Sequence, residues 1–337
     1  VPTRLPARTY RGTPRNLAFL ARRLRLGELV AVPTETVYGL AADATSARAC
    51  GRIFAAKGRP RSDPLIVHLA AKSDLARVAV PNAAALILAA RFWPGPLTLV
   101  LPKTRAIPDA ATAGQPSVAV RLPAHPLFRR LIALTGRPLA APSANPFGYV
   151  SPTTAAHVAE SLGSRIRHIL DGGPSRIGVE STIVDLRDPR RPVLLRPGAI
   201  TRADLARALG RPVALPRRSR GAAPAEAGAV APGQGARHYS PSTPVVLHPR
   251  LSVRQAAAGP VDEAWLFLRR PAGRLAGNIF WLDPRGDLRG AARTLFARLR
   301  QLDRGTFRRL HVECPRPGAG GLAAALNDRL RRAAARG

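Results

Sequence analysis

Lys57 and Arg59 stand two residues apart in Lys57-Gly58-Arg59-Pro60, and Asp63-Pro64 follows. In an extended stretch alternate side chains share a face, so the two cations can reach one anion. Lys brings a compact charge, and Arg a planar fork that matches phosphate or carboxylate. A solvated basic loop is the commoner fate of such a pair, so it needs company. The stretch Pro33-Thr34-Glu35-Thr36-Val37-Tyr38-Gly39-Leu40 puts hydroxyls, a carboxylate and a phenol just past a short apolar run. Ligands in α/β sheets bind at carboxyl ends of strands; an ordinary turn would use the same threonines to satisfy its backbone. Ser143-Ala144-Asn145, between prolines, offers neutral hydrogen bonds to a nucleotide, and Arg121 offers a fork for a carboxylate. His68 closes another apolar run, where packing is commoner than catalysis.

Other chemistries are excluded by what is missing. The chain has no Gly-x-x-x-x-Gly-Lys-Ser/Thr, no Gly-x-Gly-x-x-Gly after a strand and no His-Glu-x-x-His. A nucleophile elbow is also absent. Two distant cysteines, Cys50 and Cys314, form no paired motif, which points to a reducing cytoplasm rather than a disulfide or zinc framework. The basic N-terminus has no apolar signal core behind it, and no apolar run reaches the ~18 residues of a membrane span. The net charge of +33 would attract polyanions. Nearly all of it is Arg beside abundant Ala, Pro and Gly, so compositional drift competes evenly with affinity for tRNA. The only lysines are Lys57, Lys72 and Lys103, which makes each of them more informative.

The elements that must position these residues follow from periodicity. Helices are predicted over 16–26, 47–56, 81–92, 125–135 and 153–162, the last with Thr153 as its cap. Strands are predicted over 29–33, 64–69, 97–101, 117–122, 166–170, 181–185 and 193–196. Without strict alternation, the expectation is one mixed, twisted sheet flanked by helices, an α/β fold. Between about 211 and 243 Pro, Gly, Ala and Arg dominate, and the stretch reads as a linker. Beyond it, strands over 245–247, 264–268, 279–282 and 310–312 alternate with helices over 288–302 and 322–332. The expected organisation is a catalytic domain over 1–210, a linker or lid over 211–243, and a small Rossmann-like α/β domain over 244–337.

Taken in order, the motifs resemble the YrdC family. They are Pro33 to Leu40, Lys57-Gly58-Arg59-Pro60, Pro64-Leu65-Ile66-Val67-His68, Phe92-Trp93-Pro94-Gly95-Pro96-Leu97-Thr98, Val120-Arg121-Leu122-Pro123, Ala141-Pro142-Ser143-Ala144-Asn145 and Glu180-Ser181-Thr182-Ile183-Val184-Asp185, with Arg196-Pro197-Gly198 after them. Arg237-His238-Tyr239-Ser240-Pro241 and the last domain resemble the longer, two-domain form. Each motif alone is weak; seven in register are specific.

The resemblance implies a threonylcarbamoyl-AMP synthase activity, in which L-threonine, bicarbonate or CO2, and ATP give threonylcarbamoyl-AMP and pyrophosphate for tRNA modification. It implies that Thr34, Thr36, His68, Arg121, Ala141 and Ser181 hold threonine. Lys57, Arg59, Asp63, Ser117, Ser143, Asn145, Ser151, Arg196 and Tyr239 would hold ATP, with Lys57 and Arg59 at the phosphates as the catalytic cations. Mg²⁺ would arrive with the phosphates, without a protein metal site. A downstream threonylcarbamoyl transferase complex would take the product. A lid carrying Arg237, His238 and Tyr239 would keep water from the carbamate. Competing readings are another carbamoyl transferase on the same fold, whose further domains are not seen here, and a non-catalytic binder of double-stranded RNA or tRNA.

Overall fold

The computed structural model describes residues 6–216, 230–231 and 239–335. Its first body is a ten-stranded mixed sheet built from β1 (Arg8–Arg11), β2 (Val30–Val32), β3 (Gly39–Asp43), β4 (Ile66–His68), β5 (Leu97–Pro102), β6 (Ser117–Arg121), β7 (Leu139–Ala140), β8 (His168–Asp171), β9 (Thr182–Asp185) and β10 (Val193–Arg196). The order is β1-β8-β2-β3-β7-β4-β6-β5-β9-β10. Around it lie α1 (Pro14–Arg25), α2 (Ala47–Lys57), the short α3 (Leu75–Val78), α4 (Ala83–Phe92), the short α5 (Asp109–Thr112), α6 (Pro126–Thr135), α7 (Ala155–Leu162) and α8 (Arg202–Leu209).

The second body is a four-stranded parallel sheet of β11 (Val245–His248), β12 (Glu263–Arg269), β13 (Ile279–Asp283) and β14 (Arg309–Glu313), in the order β11-β14-β12-β13. It carries α9 (Val253–Ala258), α10 (Leu288–Asp303) and α11 (Ala323–Ala334). Helices link β11 to β12 and β13 to β14, while β12 and β13 are joined by residues 270–278 without a helix, so the expected alternation holds only in part.

The helices obey local rules. Ser46, Asn82 and Asp287 cap α2, α4 and α10 by accepting a backbone N–H three residues on. Leu17, Leu20 and Leu24 form the buried stripe of α1, as their spacing predicts. Thr154, not Thr153, caps α7, accepting from the His157 N–H, while the Thr153 hydroxyl lies 3.3 Å from His157 Nδ1.

Besides the short α3, α5 and β7, four elements went unforeseen. β1 is an edge strand with only Tyr10 turned inward, so it shows no apolar alternation. β3 reads Gly-Leu-Ala-Ala-Asp and is buried throughout without a β-branched residue. α8 announces itself only through the Thr201–Asp204 capping box. α9 is six residues long and buries only Ala256.

Register is what matters for function. β4 pairs with β6 in parallel so that His68 faces Arg121, and β5 pairs with β6 in antiparallel so that Thr98 faces Arg121. β5 pairs with β9, setting Leu97 opposite Thr182. His68, Arg121 and Thr98 therefore lie in one row across adjacent strands. β2 and β7 run opposite to β4, β6 and β10, so carboxyl ends approach the same region from two directions.

Candidate active site

One cavity, of about 500 Å³ of empty space, gathers Thr34 and Thr36 after β2, His68 from β4, Arg121 from β6, Ala141 and Ser143 after β7, Ser181 before β9, Arg196 from β10, and Arg59, Glu180 and Tyr239. Among the lining residues the charges are three guanidinium groups and one carboxylate, a balance that favours an anionic occupant.

The threonine-rich turn is built by its own hydroxyls. Thr34 Oγ1 donates to Val37 O at 2.6 Å and accepts the N–H groups of Thr36 and Val37. The two hydroxyls lie 2.8 Å apart. Thr36 Oγ1 then accepts from Arg121 Nη1 at 3.0 Å. Thr34 makes the turn, and Thr36 presents a hydroxyl whose orientation Arg121 fixes.

Arg121 also donates through Nε to Gly95 O at 3.2 Å and through Nη2 to Glu35 Oε1 at 2.6 Å. These three contacts use three of its five N–H groups and leave one on each terminal nitrogen. Burial pushes the Glu35 carboxyl up, but the charge and hydrogen bond of Arg121, with the backbone N–H groups of Ala124 and Glu35, together hold the group below its ordinary value. His68 is buried, and desolvation together with nearby Arg121 depresses its pKa to about 3. Its Nδ1 lies 3.1 Å from Ile66 O, so that nitrogen carries the proton and Nε2 is left as an acceptor.

Across the cavity Arg196 donates through Nε to Ser181 O and through Nη2 to Ser181 Oγ, both at 3.0 Å, and the Ser181 hydroxyl meets Thr98 Oγ1 at 2.7 Å. Arg59 is held by Asp63: Nε donates to Asp63 O at 3.0 Å, Nη2 to Pro64 O at 2.8 Å, and Nη2 pairs with Asp63 Oδ2 at 2.9 Å. Asp63 itself does not line the cavity.

Lys57, expected at the phosphates, binds the loop after β7. Its ammonium is 2 % exposed and donates to Ser143 O at 2.6 Å and to Asn145 O. It is not among the lining residues, and desolvation, then Arg59, lowers its pKa well below the usual value. Asn145 also serves the loop, donating through Nδ2 to Pro146 O and Tyr149 O, while its buried Oδ1 has no partner among the described residues.

Ser151 sits behind the wall, fully buried, donating to Glu180 Oε1 at 2.6 Å. Ser117 begins β6, roughly 13 Å of strand away from Arg121 at its end. The Ser117 hydroxyl is buried without a partner among the described residues. Tyr239, with φ 63, is fully buried, its ring stacked on Phe296 at 5.5 Å. Arg237 and His238 lie outside the described residues.

Two residues of this site escaped the sequence reading. Glu35 was legible only as a carboxylate in a motif, and its partner Arg121 is 86 positions away. Glu180 opens the Glu180-Ser181-Thr182 motif, yet its partner is Arg329 of the second body.

Residues 22–198 match the family model of Sua5, YciO and YrdC, described as "Telomere recombination", and residues 200–335 match "Threonylcarbamoyl-AMP synthase, C-terminal domain". The threonylcarbamoyl-AMP synthase of Pyrococcus abyssi is 44 % identical over 300 residues, covering 83 % of each chain. That of Bacillus subtilis is 46 % identical over 233 residues, covering 68 % of this chain and 66 % of its own length. The crystal structure of P. abyssi Sua5 complexed with L-threonine superposes with a TM-score of 0.86 at 40 % identity, over 97 % of this chain and 96 % of that one. The chain therefore belongs to the Sua5, YciO and YrdC family, in the form that carries the threonylcarbamoyl-AMP synthase C-terminal domain.

Proposed function

We propose that this chain makes threonylcarbamoyl-AMP from L-threonine, bicarbonate or CO2, and ATP, releasing pyrophosphate. The observation that carries the reading is the convergence of Arg59, Arg121 and Arg196 on one cavity otherwise walled by hydroxyls, backbone and a single acid. In the first step the neutral amine of threonine attacks the carbon of CO2 and gives a carbamate. In the second, a carbamate oxygen attacks the α-phosphorus of ATP and the pyrophosphate leaves.

The two remaining N–H groups of Arg121 are matched to the threonine carboxylate, which keeps the amine free to react. Thr34, Thr36, Ala141 and Ser181 form the rest of that pocket, and neutral His68 offers Nε2 as an acceptor. Arg59 and Arg196 face the polyphosphate, where negative charge develops as pyrophosphate departs. Ser117, Ser143, Ser151 and Tyr239 serve the nucleotide. Asp63 keeps the Arg59 fork aimed. Lys57 and Asn145 act from beneath, by fixing the loop that presents Ser143. No residue offers a covalent nucleophile, so the rate comes from placement and preorganised charge.

Mg²⁺ belongs to this proposal as a companion of ATP. Among the described residues no group of three or more His, Cys, Asp or Glu side chains could hold a metal ion. The lining acid, Glu180, already accepts from Ser151 and Arg329, so a cation here would rest on phosphate oxygens. When bound, it would neutralise charge on the phosphates. The product would pass in the cytoplasm to a threonylcarbamoyl transferase complex acting on tRNA, and the +33 charge is compatible with direct contact to that RNA. Among the described residues no helix is long and apolar enough to cross a membrane.

The decisive assay is pyrophosphate release from ATP by the purified chain. It should require L-threonine and bicarbonate together. Release that persists without either, or that serine supports equally well, would overturn the substrate assignment.

A further inference from the structure

Among the described residues Arg329 is the largest fully buried side chain, and it comes from the second body, on α11. Its guanidinium reaches into the wall of the active-site cavity. Nε donates to Glu180 Oε2 at 2.7 Å, Nη2 to Glu180 O at 3.3 Å and Nη1 to Pro197 O at 3.1 Å. Nη1 also pairs with Asp328 Oδ2 at 2.7 Å, and the guanidinium carbon sits 5.2 Å from the centre of the Tyr239 ring. The other oxygen of Glu180 accepts from Ser151 at 2.6 Å.

The set of partners is informative. Glu180 and Tyr239 line the cavity themselves, Glu180 directly precedes Ser181, and Pro197 directly follows Arg196. One guanidinium thus fixes two lining residues by contact and two more through a single peptide bond each. A buried ion pair is a poor stabiliser, because two desolvated charges recover little more than they lose. Ordinary apolar packing would dock the domains at least as well, so stability alone does not account for a charge here. The docking is also rigid: at Gly178, where φ is +83°, an added Cβ would fall 2.3 Å from Ala292 O of α10. The carboxylate held between Ser151 and Arg329 therefore has little freedom to move.

We propose that Arg329 is a positioning residue for the synthase reaction: the C-terminal domain completes the active site by holding Glu180 and Tyr239, and through them Ser181 and Arg196, in working geometry. The inference rests on the function proposed above. It assigns the domain a part in the chemistry through this one side chain. Arg329 touches no reacting atom and acts through the carboxylate and ring that it grips.

The test uses the full chain and compares Arg329→Lys, Arg329→Met, Glu180→Gln and the double variant Arg329→Met with Glu180→Gln. Ile279→Ala, a buried change on β13 in a separate apolar cluster that holds none of these residues, is the control for lost packing. Wild type is assayed first. If it shows no pyrophosphate release dependent on threonine and bicarbonate, the functional reading fails and the inference with it. If it does, Arg329→Met should lower kcat by ~10- to 100-fold with a smaller change in the KM for ATP, as a misplaced site does. Arg329→Lys should restore part of the loss, and the double variant should be no worse than the worse single one, since the two residues act as a unit. Ile279→Ala should keep kcat at temperatures where it is folded. A folded Arg329→Met with wild-type kcat, or a kcat loss in Ile279→Ala equal to that in Arg329→Met, would overturn the proposal and leave Arg329 as a domain clamp.

Discussion

Arg121 and Glu35 meet in the cavity wall with Nη2 and Oε1 2.6 Å apart, both side chains nearly closed to solvent. The pair sets what a substrate carboxylate can find there. With Glu35 ionised, the Arg121 fork is neutralised on one side, anchored by Gly95 and Thr36 on others, and keeps two N–H groups that these contacts do not use. Arg121→Met removes the donors and strands Glu35, a loss of about 3–5 kcal/mol for a buried pair broken on one side. Arg121→Lys keeps the charge but cannot serve three acceptors and a ligand together. We expect it to fold and to raise the KM for threonine by at least ~10-fold, with the KM for ATP little changed. Steady-state kinetics with each substrate varied in turn checks the split; equal rises in both constants would count against the assignment.

Protonation of Glu35 gives a second readout. Its folded pKa lies below the ordinary value of 4.5, so the unfolded chain takes up this proton first as pH falls. The stability it contributes is present above pH 4.5 and is lost as pH drops through the folded value. Urea titrations between pH 5 and 3 should show a steeper decline for wild type than for Glu35→Gln. Parallel declines would show that Glu35 does not titrate as its partner requires.

His68 behaves in a related way for a different reason. Burial and the neighbouring Arg121 hold its folded pKa at about 3, so the unfolded chain binds its proton near pH 6.5 and the folded chain does not. Stability should therefore fall as pH goes from 6.5 toward 3, by up to about 1.4 kcal/mol per pH unit from this one group. His68→Gln should flatten that slope. The imidazole stays neutral wherever the enzyme works, so the pH–rate profile should contain no limb near 6.5 that His68→Gln removes. Finding such a limb would make His68 an acid–base group.

How much of this was legible in the sequence depends on the distance of each partner. The turn around Thr34 and Thr36, the row of His68 and Arg121 at strand ends, and the second α/β body follow from local pattern, because hydroxyl turns and period-two burial are local rules. β1 and β3 were not legible, since an edge strand with one buried residue and an alanine-rich buried strand lack the alternation that marks strands. The resemblance implies Lys57 at the phosphates, and spacing alone does not reveal the loop carbonyls that it holds. The carbonyls it serves lie 86 and 88 residues on. Arg329 was one arginine among dozens, and only its complete burial sets it apart.

Lys57 yields a sharper prediction as a loop anchor than as a phosphate contact. Lys57→Met removes the donor from Ser143 O and Asn145 O and leaves two buried carbonyls without it, at a cost of about 1–3 kcal/mol each. Activity should fall because Ser143 loses its place. The distinguishing variant is Lys57→Arg: the larger head does not fit a closed site, so the loop should shift and the melting temperature drop although the charge is kept. A Lys57→Arg protein as stable as wild type, with only its KM for ATP raised, would move Lys57 back to the polyphosphate.

The last prediction concerns how closely the two bodies must approach. Gly178 has φ +83°, and a methyl group built on it would lie 2.3 Å from Ala292 O and 2.4 Å from Arg293 Cα, both on the α10 backbone. Neither atom can swing aside as a flexible side chain would. Gly178→Ala combines backbone strain of order 1–3 kcal/mol with a clash that only separation of α10 from this loop relieves. Such separation would also draw α11 and Arg329 away from Glu180, two residues further along the same loop. The variant should therefore lose activity and become more open to proteolysis between the bodies, while each body keeps its secondary structure. Circular dichroism, limited proteolysis and pyrophosphate release measured on one preparation decide it. Full activity in a folded Gly178→Ala would mean that the synthase tolerates a looser C-terminal domain than the packing of Arg329 implies.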